Sequence, residues 1–181
     1  MDGHPSATPQ QDMETWRRYS TTHEQLMSHL ARELARETGL SEADYQVLDA
    51  LVDLPGARAR ALELRLALQW EKSRLSHQIA RMVGRGLLDR QACVEDARGA
   101  DVVLTPAGRA AARRARHVRA ESVERIVFGV LPPELIASLI EATTLLVDAL
   151  ARAAREDPAC RTAWAEAMEQ AGDLAGQCGD S

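Results

Sequence analysis

Apolar residues recur at three- and four-residue intervals over most of this chain, a spacing that predicts long amphipathic helices. The first run covers residues 12–38 and stops at Gly39, which can adopt the left-handed backbone that closes a helix. Its periodic positions are Met13, Trp16, Ser20, His23, Met27, Leu30 and Leu34. Ser41 and Asp44 resemble a capping box, so we expect a second helix to begin there.

Two shorter helices are expected next. Pro55-Gly56 ends the second helix, because proline and glycine together favour a turn. A third helix is expected over residues 59–68, with Leu64 and Leu68 facing inward. A fourth is expected over residues 71–85, closed by Gly86.

A hairpin and two further helices complete the pattern. Residues 87–94 and 101–104 predict two strands joined by a polar turn that contains glycine. Thr105-Pro106, a hydroxyl cap followed by proline, predicts the start of a fifth helix that runs to about residue 127. A sixth helix is expected over residues 134–155. The expected fold is therefore mainly α, with a small β-hairpin.

The fourth predicted helix has two chemically different faces. One face carries the apolar residues Leu75, Ile79 and Met82. The other carries hydrogen-bond donors that suit the edges of DNA bases, namely Ser73, Arg74, His77 and Arg81. Three helices followed by a basic hairpin form the order of a winged helix-turn-helix head, in which the last helix enters the major groove. The pattern therefore indicates sequence-specific DNA binding.

Charge is distributed in a way that agrees with this interpretation. The chain has a net charge of −5, which by itself is unusual for a DNA-binding protein. Residues 58–98, however, hold nine basic and five acidic side chains, whereas the remainder has a net charge of −9. Because local charge steers binding more than total charge does, the basic head remains a credible DNA-binding surface.

Other function classes find little support in the sequence. No Gly-rich phosphate loop or nucleophile elbow is present, so an enzyme is not expected, and no cofactor is implied. His23 and His29 are six residues apart and face different sides of a helix, which disfavours a metal site. No apolar run approaches the roughly 20 residues that cross a membrane. With three cysteines at no metal-like spacing, we expect a cytoplasmic protein without membrane contact.

Several fragments, in order, resemble the MarR family of bacterial repressors. They begin with Gly39-Leu40-Ser41-Glu42-Ala43-Asp44-Tyr45-Gln46-Val47-Leu48 and continue with Glu63-Leu64 and Ser73-Arg74-Leu75-Ser76-His77-Gln78-Ile79. They end with Gly86-Leu87-Leu88-Asp89-Arg90, Glu95-Asp96-Ala97-Arg98 and Leu104-Thr105-Pro106-Ala107-Gly108-Arg109. The similarity covers about residues 13–155. The chain departs from the family at Arg65, where a small residue is usual, and extends beyond the usual end from Pro158.

The resemblance implies a homodimer, held by the first and last helices, that binds a pseudo-palindromic operator and is commonly released by a small molecule. The sequence supports a dimer independently, because the late helices carry more apolar residues than the small head could cover. Leu135, Leu139, Leu145, Leu146 and Leu150 would be exposed in a monomer. An isologous pair would bury them and place two recognition helices roughly 34 Å apart.

The site residues follow from the helix, the hairpin and the resemblance. Expected DNA contacts are Lys72, Ser73, Arg74, Ser76, His77, Gln78, Arg81, Arg90 and Arg98. Arg98 is expected in the minor groove, the alternative being a turn residue paired with Asp96. Trp70 is expected to brace the recognition helix from the core. An aromatic ligand site is a weaker hypothesis, and dimer-interface packing is the favoured explanation of its residues, Trp16, Tyr19, His23 and His117.

The expected organisation has five parts. Residues 1–11 form a flexible N-terminal arm, 12–40 a dimerisation helix, and 41–105 the winged helix-turn-helix DNA-binding region. Residues 106–157 form further dimerisation helices, and 158–181 a C-terminal extension. The predicted function is a dimeric repressor of transcription that is released by a small ligand, for which an aromatic compound is one candidate. The alternative is a winged-helix module that docks a protein and has no specific DNA binding.

Overall fold

The computed structural model describes residues 8–92 and 100–156, which form six α-helices and three strands together with a short 3₁₀ turn and a π-helical turn. The helices are α1 (Pro9–Thr38), α2 (Glu42–Val52), α3 (Ala61–Leu68), α4 (Lys72–Gly84), α5 (Pro106–Val123) and α6 (Pro133–Glu156). The strands are β1 (Arg58–Arg60), β2 (Leu88–Ala92) and β3 (Ala100–Leu104). This order confirms the predicted fold class, a mainly helical winged helix-turn-helix head with long flanking helices.

The head packs around one apolar core beneath the three-stranded sheet. Leucines dominate this core because the chain has few aromatic residues. Its fully buried side chains include Leu34 of α1, Leu48 and Leu51 of α2, Leu64 of α3, and Ile79 and Met82 of α4. One buried cluster thus joins α1 to α4.

The sheet contains a strand that the hydrophobic pattern did not predict. β1 pairs antiparallel with β3, which also pairs antiparallel with β2, so the order is β1-β3-β2. Ala59 was predicted to begin the third helix but lies in β1, opposite Val102. A strand of three residues, Arg-Ala-Arg, has too few positions to show a period, and its pairing partner lies about forty residues away.

Helix boundaries differ from the prediction at two places. α1 begins at Pro9 rather than Asp12, because Thr8 and Gln11 form a capping box and proline occupies the first turn. Residues 8–11, predicted as part of the arm, therefore belong to the cap and first turn of α1. The fifth helix was expected to run to about residue 127, but α5 ends at Val123. The chain then continues as a π-helical turn, Glu124–Phe128, before the break that precedes α6.

Arginines of α5 and of the π-helical turn tie these late elements to α1 and α2. The Arg116 guanidinium donates to the Asp53 carboxylate at 2.8 and 2.9 Å and to Asp49 as well. These two carboxylates raise the pKa of Arg116 far above its ordinary value. Arg119 donates to Glu42, and Arg125 donates to both oxygens of Glu33 at 2.8 Å. The head and the long helices are therefore joined by charge pairs as well as by apolar packing.

α6 is exposed along almost its whole length, with only Ile136 half-buried among its described side chains. Within the described residues, no single helix is both long and apolar enough to span a membrane. The stretches Pro106–Phe128 and Pro133–Ala153 meet that requirement only as a pair, and they are bent by 112°.

Candidate nucleic-acid interface

α4 separates the two kinds of side chain as the sequence predicted. Leu75, Ile79 and Met82 are buried in the head. The opposite side of the helix is exposed, and it carries Lys72, Ser73, Arg74, Ser76, His77 and Arg81. The exposed row is rich in hydrogen-bond donors and holds three positive charges within ten residues. Such a row matches the donor and charge pattern of a helix that reads the major groove.

Trp70 lies directly before this helix and packs into the core, as predicted, with 7% of its surface exposed. The Arg74 guanidinium carbon lies 4.1 Å from the centre of the Trp70 ring. A cation over an indole ring is attracted by the negative face of the ring. The ring therefore restricts the orientation of Arg74 on the exposed face of α4.

Gln78 is the exception among the predicted DNA contacts, because its side chain is only 2% exposed. Its Nε2 donates to Asp44 Oδ1 at 2.7 Å, and its Oε1 accepts from Arg81. The helical period places position 78 on the same side as Leu75 and Ile79, which the residue's polarity had obscured. The structure corrects the prediction for Gln78, which belongs to a buried network and not to the exposed row.

Asp44 is the acceptor at the centre of that network, and sequence reasoning identified it only as a capping residue. Its Oδ2 accepts from the Ser41 N–H at 2.8 Å and from Arg85 Nη1 at 2.7 Å. Burial by itself raises the pKa of the Asp44 carboxyl, but the bonds from Ser41 and Arg85 outweigh it and hold the pKa below its ordinary value. Arg85 also donates to the Gly39 carbonyl at 3.1 Å.

The hairpin beside α4 is held at its base by two sets of contacts. Arg58 of β1 donates to Asp101 Oδ2 of β3 through Nε at 3.1 Å and Nη2 at 2.7 Å. The Thr105 hydroxyl donates to the Gly86 carbonyl at 2.7 Å and accepts from the Gly108 N–H at 2.9 Å. Gly108 is required here, since a Cβ would lie 2.0 Å from the Leu87 carbonyl oxygen. These contacts fix the base of the hairpin of β2 and β3, which we call the wing, against the rest of the head.

Of the two arginines predicted to lie on the wing, the structure describes Arg90 and not Arg98. Arg90 is exposed on β2, opposite Val102 of β3. Arg98, with its alternative partner Asp96, lies outside the described residues.

Three of the four candidate ligand residues form one aromatic row on α1. The Trp16 and Tyr19 ring centres are 5.6 Å apart, and the Tyr19 and His23 rings stack at 6.0 Å. Trp16 and Tyr19 are about half exposed. His117 is exposed on α5 beside Glu121, and no ring contact or hydrogen bond between described residues joins it to the row. Residues 8–92 and 100–156 contain no group of His, Cys, Asp or Glu that could hold a metal ion.

Comparison with known proteins places these features in a family. The MarR family model matches residues 38–99, which include α2, α3, α4 and β2. Sco3205 from Streptomyces coelicolor, a MarR family transcriptional regulator solved in complex with DNA, is 32% identical and has a TM-score of 0.73. That alignment covers 82% of this chain and 93% of Sco3205.

Two further solved structures are similar to this chain. AbsC, a MarR family transcriptional regulator also from Streptomyces coelicolor, is 31% identical with a TM-score of 0.71, covering 81% of this chain and 98% of AbsC. The transcriptional regulator BldR from Sulfolobus solfataricus shares the fold at 17% identity and a TM-score of 0.64, covering 79% and 99% of the two chains. No match was found among curated protein sequences.

Proposed function

The chain belongs to the MarR family of transcriptional regulators, and we propose that it is a dimeric repressor that binds a pseudo-palindromic operator. The observation that carries this proposal is the exposed row of donors and cations on α4, next to the base of the wing. Occupying an operator that overlaps a promoter would exclude the transcription machinery. A small ligand would relieve the repression by lowering operator affinity.

Side chains at the beginning of α4 are proposed to read base edges, because the N-terminal turns of a recognition helix reach deepest into the major groove. Arg74 is the leading candidate, since its planar fork can bond two acceptors of guanine at once. Ser73, Ser76 and His77 would contact neighbouring bases. Lys72 would bind phosphate, which adds affinity without sequence information.

The wing is proposed to contact the neighbouring DNA backbone and minor groove. Arg90, which is exposed on β2, would bind phosphate. Arg98 is proposed to enter the minor groove, whose negative potential attracts arginine.

A homodimer is supported by the exposed apolar face of α6. Leu135, Leu139, Leu146 and Leu150 recur at spacings of four and seven and are all exposed in the single chain. Acidic residues on the opposite side, Glu134, Glu141 and Asp148, also recur every seven residues. Residues 8–40 and 106–157 would form the dimerisation region and 41–105 the DNA-binding region, with 1–7 as an arm and 158–181 as an extension. Two copies related by a twofold axis would match the symmetry of an operator.

The ligand proposal rests on the aromatic row of α1. Trp16, Tyr19 and His23 present a row of neighbouring rings to solvent in the single chain, the first pair tilted and the second stacked. An aromatic ligand held there, with His117 contributing from α5, would lower operator affinity only if it binds the spacing of the two heads that mismatches the operator. Loss of ligand response in a Trp16→Ala variant that still binds DNA would support this site, and an unchanged response would exclude it.

The deciding experiment selects DNA with the purified protein from a pool of random-sequence duplexes. We expect the wild type to enrich a pseudo-palindromic sequence and to bind it at least about 1,000-fold more tightly than random DNA. Arg74→Ala should lose most of that preference, whereas Arg113→Ala, an exposed arginine on α5, should retain it. Binding should weaken steeply with salt, as phosphate contacts release counterions. Failure to enrich any sequence would favour the protein-docking alternative and overturn the proposal.

A further inference from the structure

We infer that Gln78 is a positioning residue that holds the Arg81 guanidinium in place for contact with DNA, and that Asp44 in turn holds Gln78. The inference rests on the DNA binding proposed above. It assigns a role in recognition to a side chain that α4 buries, and to a carboxylate on a different helix. We name Asp44, Gln78 and Arg81 the polar relay.

The burial of Gln78 requires both ends of its amide to be bonded, since an unsatisfied amide is costly inside a protein. The amide nitrogen donates to Asp44 at 2.7 Å, and the amide oxygen accepts from Arg81. A carboxylate only accepts and a guanidinium only donates. The amide therefore has a single orientation that satisfies both partners, and turning it over would break both bonds.

Asp44 cannot easily move away from Gln78, because three other donors bind the same carboxylate. The Ser41 N–H and hydroxyl each lie 2.8 Å from Oδ2, and Arg85 Nη1 lies 2.7 Å from it. Arg85 also binds the Gly39 carbonyl at the end of α1. The carboxylate is thus anchored where the end of α1, the start of α2 and the end of α4 meet.

At the other end of the relay, Arg81 lies on the exposed face of α4. It is seven residues beyond Arg74, so the two arginines lie on the same side of the helix two turns apart. Each is held by a residue that is itself buried, Arg74 by Trp70 and Arg81 by Gln78. An arginine that is already oriented loses less side-chain freedom on binding. The polar relay therefore favours the DNA-competent state of Arg81.

A double-mutant cycle on DNA affinity separates this role from simple support of the fold. The probe is the duplex that the wild type enriches from the random pool, and affinity is read by fluorescence anisotropy. Gln78→Met keeps the volume but removes both bonds. We expect Gln78→Met and Arg81→Ala each to weaken binding by about tenfold. Because Gln78 acts through Arg81, the double variant should bind no more weakly than Arg81→Ala alone.

Two results of the cycle would overturn the inference. One is wild-type affinity in Gln78→Met. The other is a double variant whose fold-loss of DNA affinity equals the product of the losses in the two single variants. Gln46→Met, at a half-buried glutamine of α2 outside the polar relay, serves as the matched control and should keep wild-type affinity.

If Gln78→Met fails to fold, a double variant that exchanges the carboxylate and the amide between positions 44 and 78 tests the inference instead. Gln78→Glu alone brings two carboxylates together and should weaken binding. In Asp44→Asn/Gln78→Glu, the introduced amide can donate to the introduced carboxylate, which still accepts from Arg81. We expect the pair to recover affinity to within about threefold of wild type. A folded pair that binds as weakly as Gln78→Glu would contradict the inference.

Enrichment of the duplex by the wild type, and the affinities of single variants for it, distinguish failure of the inference from failure of the proposed function. If Arg74→Ala loses binding but Arg81→Ala does not, the DNA-binding proposal stands and the polar relay has no part in it. If the wild type enriches no sequence, the proposed function itself fails.

Discussion

The Arg74 guanidinium carbon lies 4.1 Å from the centre of the Trp70 ring. Trp70 belongs to the core, with 7% of its surface exposed, so its ring cannot swing away without disturbing the head. Arg74 itself is exposed on the outer face of α4. A buried ring therefore orients the one side chain that we consider most important for reading DNA.

Replacing Arg74 by lysine should reduce sequence preference while keeping the charge. Lysine cannot form the planar, two-bond contact that arginine makes with guanine, and it stacks less well on an aromatic ring. We expect Arg74→Lys to weaken binding to the enriched duplex by about 10- to 100-fold and to leave binding to random DNA nearly unchanged. Anisotropy titrations with both duplexes measure the two affinities.

Lys72→Ala is the matched control for that variant, since Lys72 lies at the start of the same exposed row. It should weaken binding to both duplexes equally and reduce the salt dependence by about one charge per protomer. A larger loss of preference in Lys72→Ala than in Arg74→Lys would contradict the assignment of Arg74 as the base-reading residue.

Placing charge on the apolar face of α6 should abolish the proposed dimer. Leu139 and Leu146 are exposed in the single chain and lie seven residues apart. Two carboxylates buried against a partner would cost more free energy than the contact gains. We expect Leu139→Glu/Leu146→Glu to be a folded monomer in analytical ultracentrifugation, with operator affinity reduced at least about 100-fold.

Glu141→Gln tests the opposite side of α6, where Glu141 is exposed among other acidic residues. This variant should remain a dimer with wild-type operator affinity. If Glu141→Gln were monomeric and the leucine variant dimeric, the interface would lie on the acidic side of α6, and the proposed dimer would be wrong.

Acid should remove the stability that Asp44 contributes. The pKa of Asp44 in the folded protein lies below its ordinary value of 3.8. Between these two values the unfolded chain binds more protons than the folded chain does, so stability falls as the pH falls. The contribution is fully present above pH 3.8 and is lost as the pH drops through the folded-state pKa. Urea unfolding of the wild type and Asp44→Asn, at several pH values between 7 and 3, measures it.

At neutral pH we expect Asp44→Asn to be less stable by about 1–3 kcal/mol, because Arg85 loses its charged partner. The difference should shrink as the pH approaches 3. Asp89→Asn, on the exposed side of the head, should follow the wild type over the whole range. A constant difference down to pH 3 would argue against a lowered pKa at Asp44.

Removing Arg58 should loosen the base of the wing. Asp101 is 6% exposed and receives two bonds from Arg58, at 2.7 and 3.1 Å. A buried carboxylate that loses its partner is costly, although Arg58 itself is partly exposed to solvent. We expect Arg58→Ala to lower the free energy of unfolding by about 1–3 kcal/mol and to weaken operator binding.

Adding Asp101→Asn to Arg58→Ala should recover part of the lost stability, since a neutral amide is easier to bury than an unpaired carboxylate. Urea unfolding and anisotropy on the same samples provide both readouts. If Asp101→Asn made the Arg58→Ala variant still less stable, the ion pair could not be the cause of the first loss.

Long periodic segments were predictable because their order is local. The helices α1, α2 and α4 follow from apolar spacing. The end of α1 follows from the local chemistry of Gly39, and the start of α2 follows from that of Ser41. Trp70 was correctly assigned to the core, and the exposed face of α4 was correctly identified except at Gln78. Each of these inferences depends on neighbours within about two helical turns.

What the sequence could not predict depends on residues that are distant along the chain. β1 is a strand only because β3 pairs with it, and its three residues carry no periodic signal. The hydrogen bond from Gln78 to Asp44 joins positions that are 34 residues apart. A polar residue on the apolar face of a helix can be hydrogen-bonded inside the core, or it can face solvent at the edge of that face. Only the position of its hydrogen-bond partner distinguishes the two.

The sequence by itself determined the type and order of the helices, the exposed basic face of α4 and the family resemblance, because periodicity, caps and motifs are local and directional. The tertiary structure decided which polar side chains face solvent and which are buried. That decision depends on hydrogen-bond partners brought together by folding, since a buried amide or carboxylate is stable only where those partners are present. Arg74 and Gln78 lie one helical turn apart, and tertiary contacts leave the first on the exposed face of α4 and bury the second against Asp44.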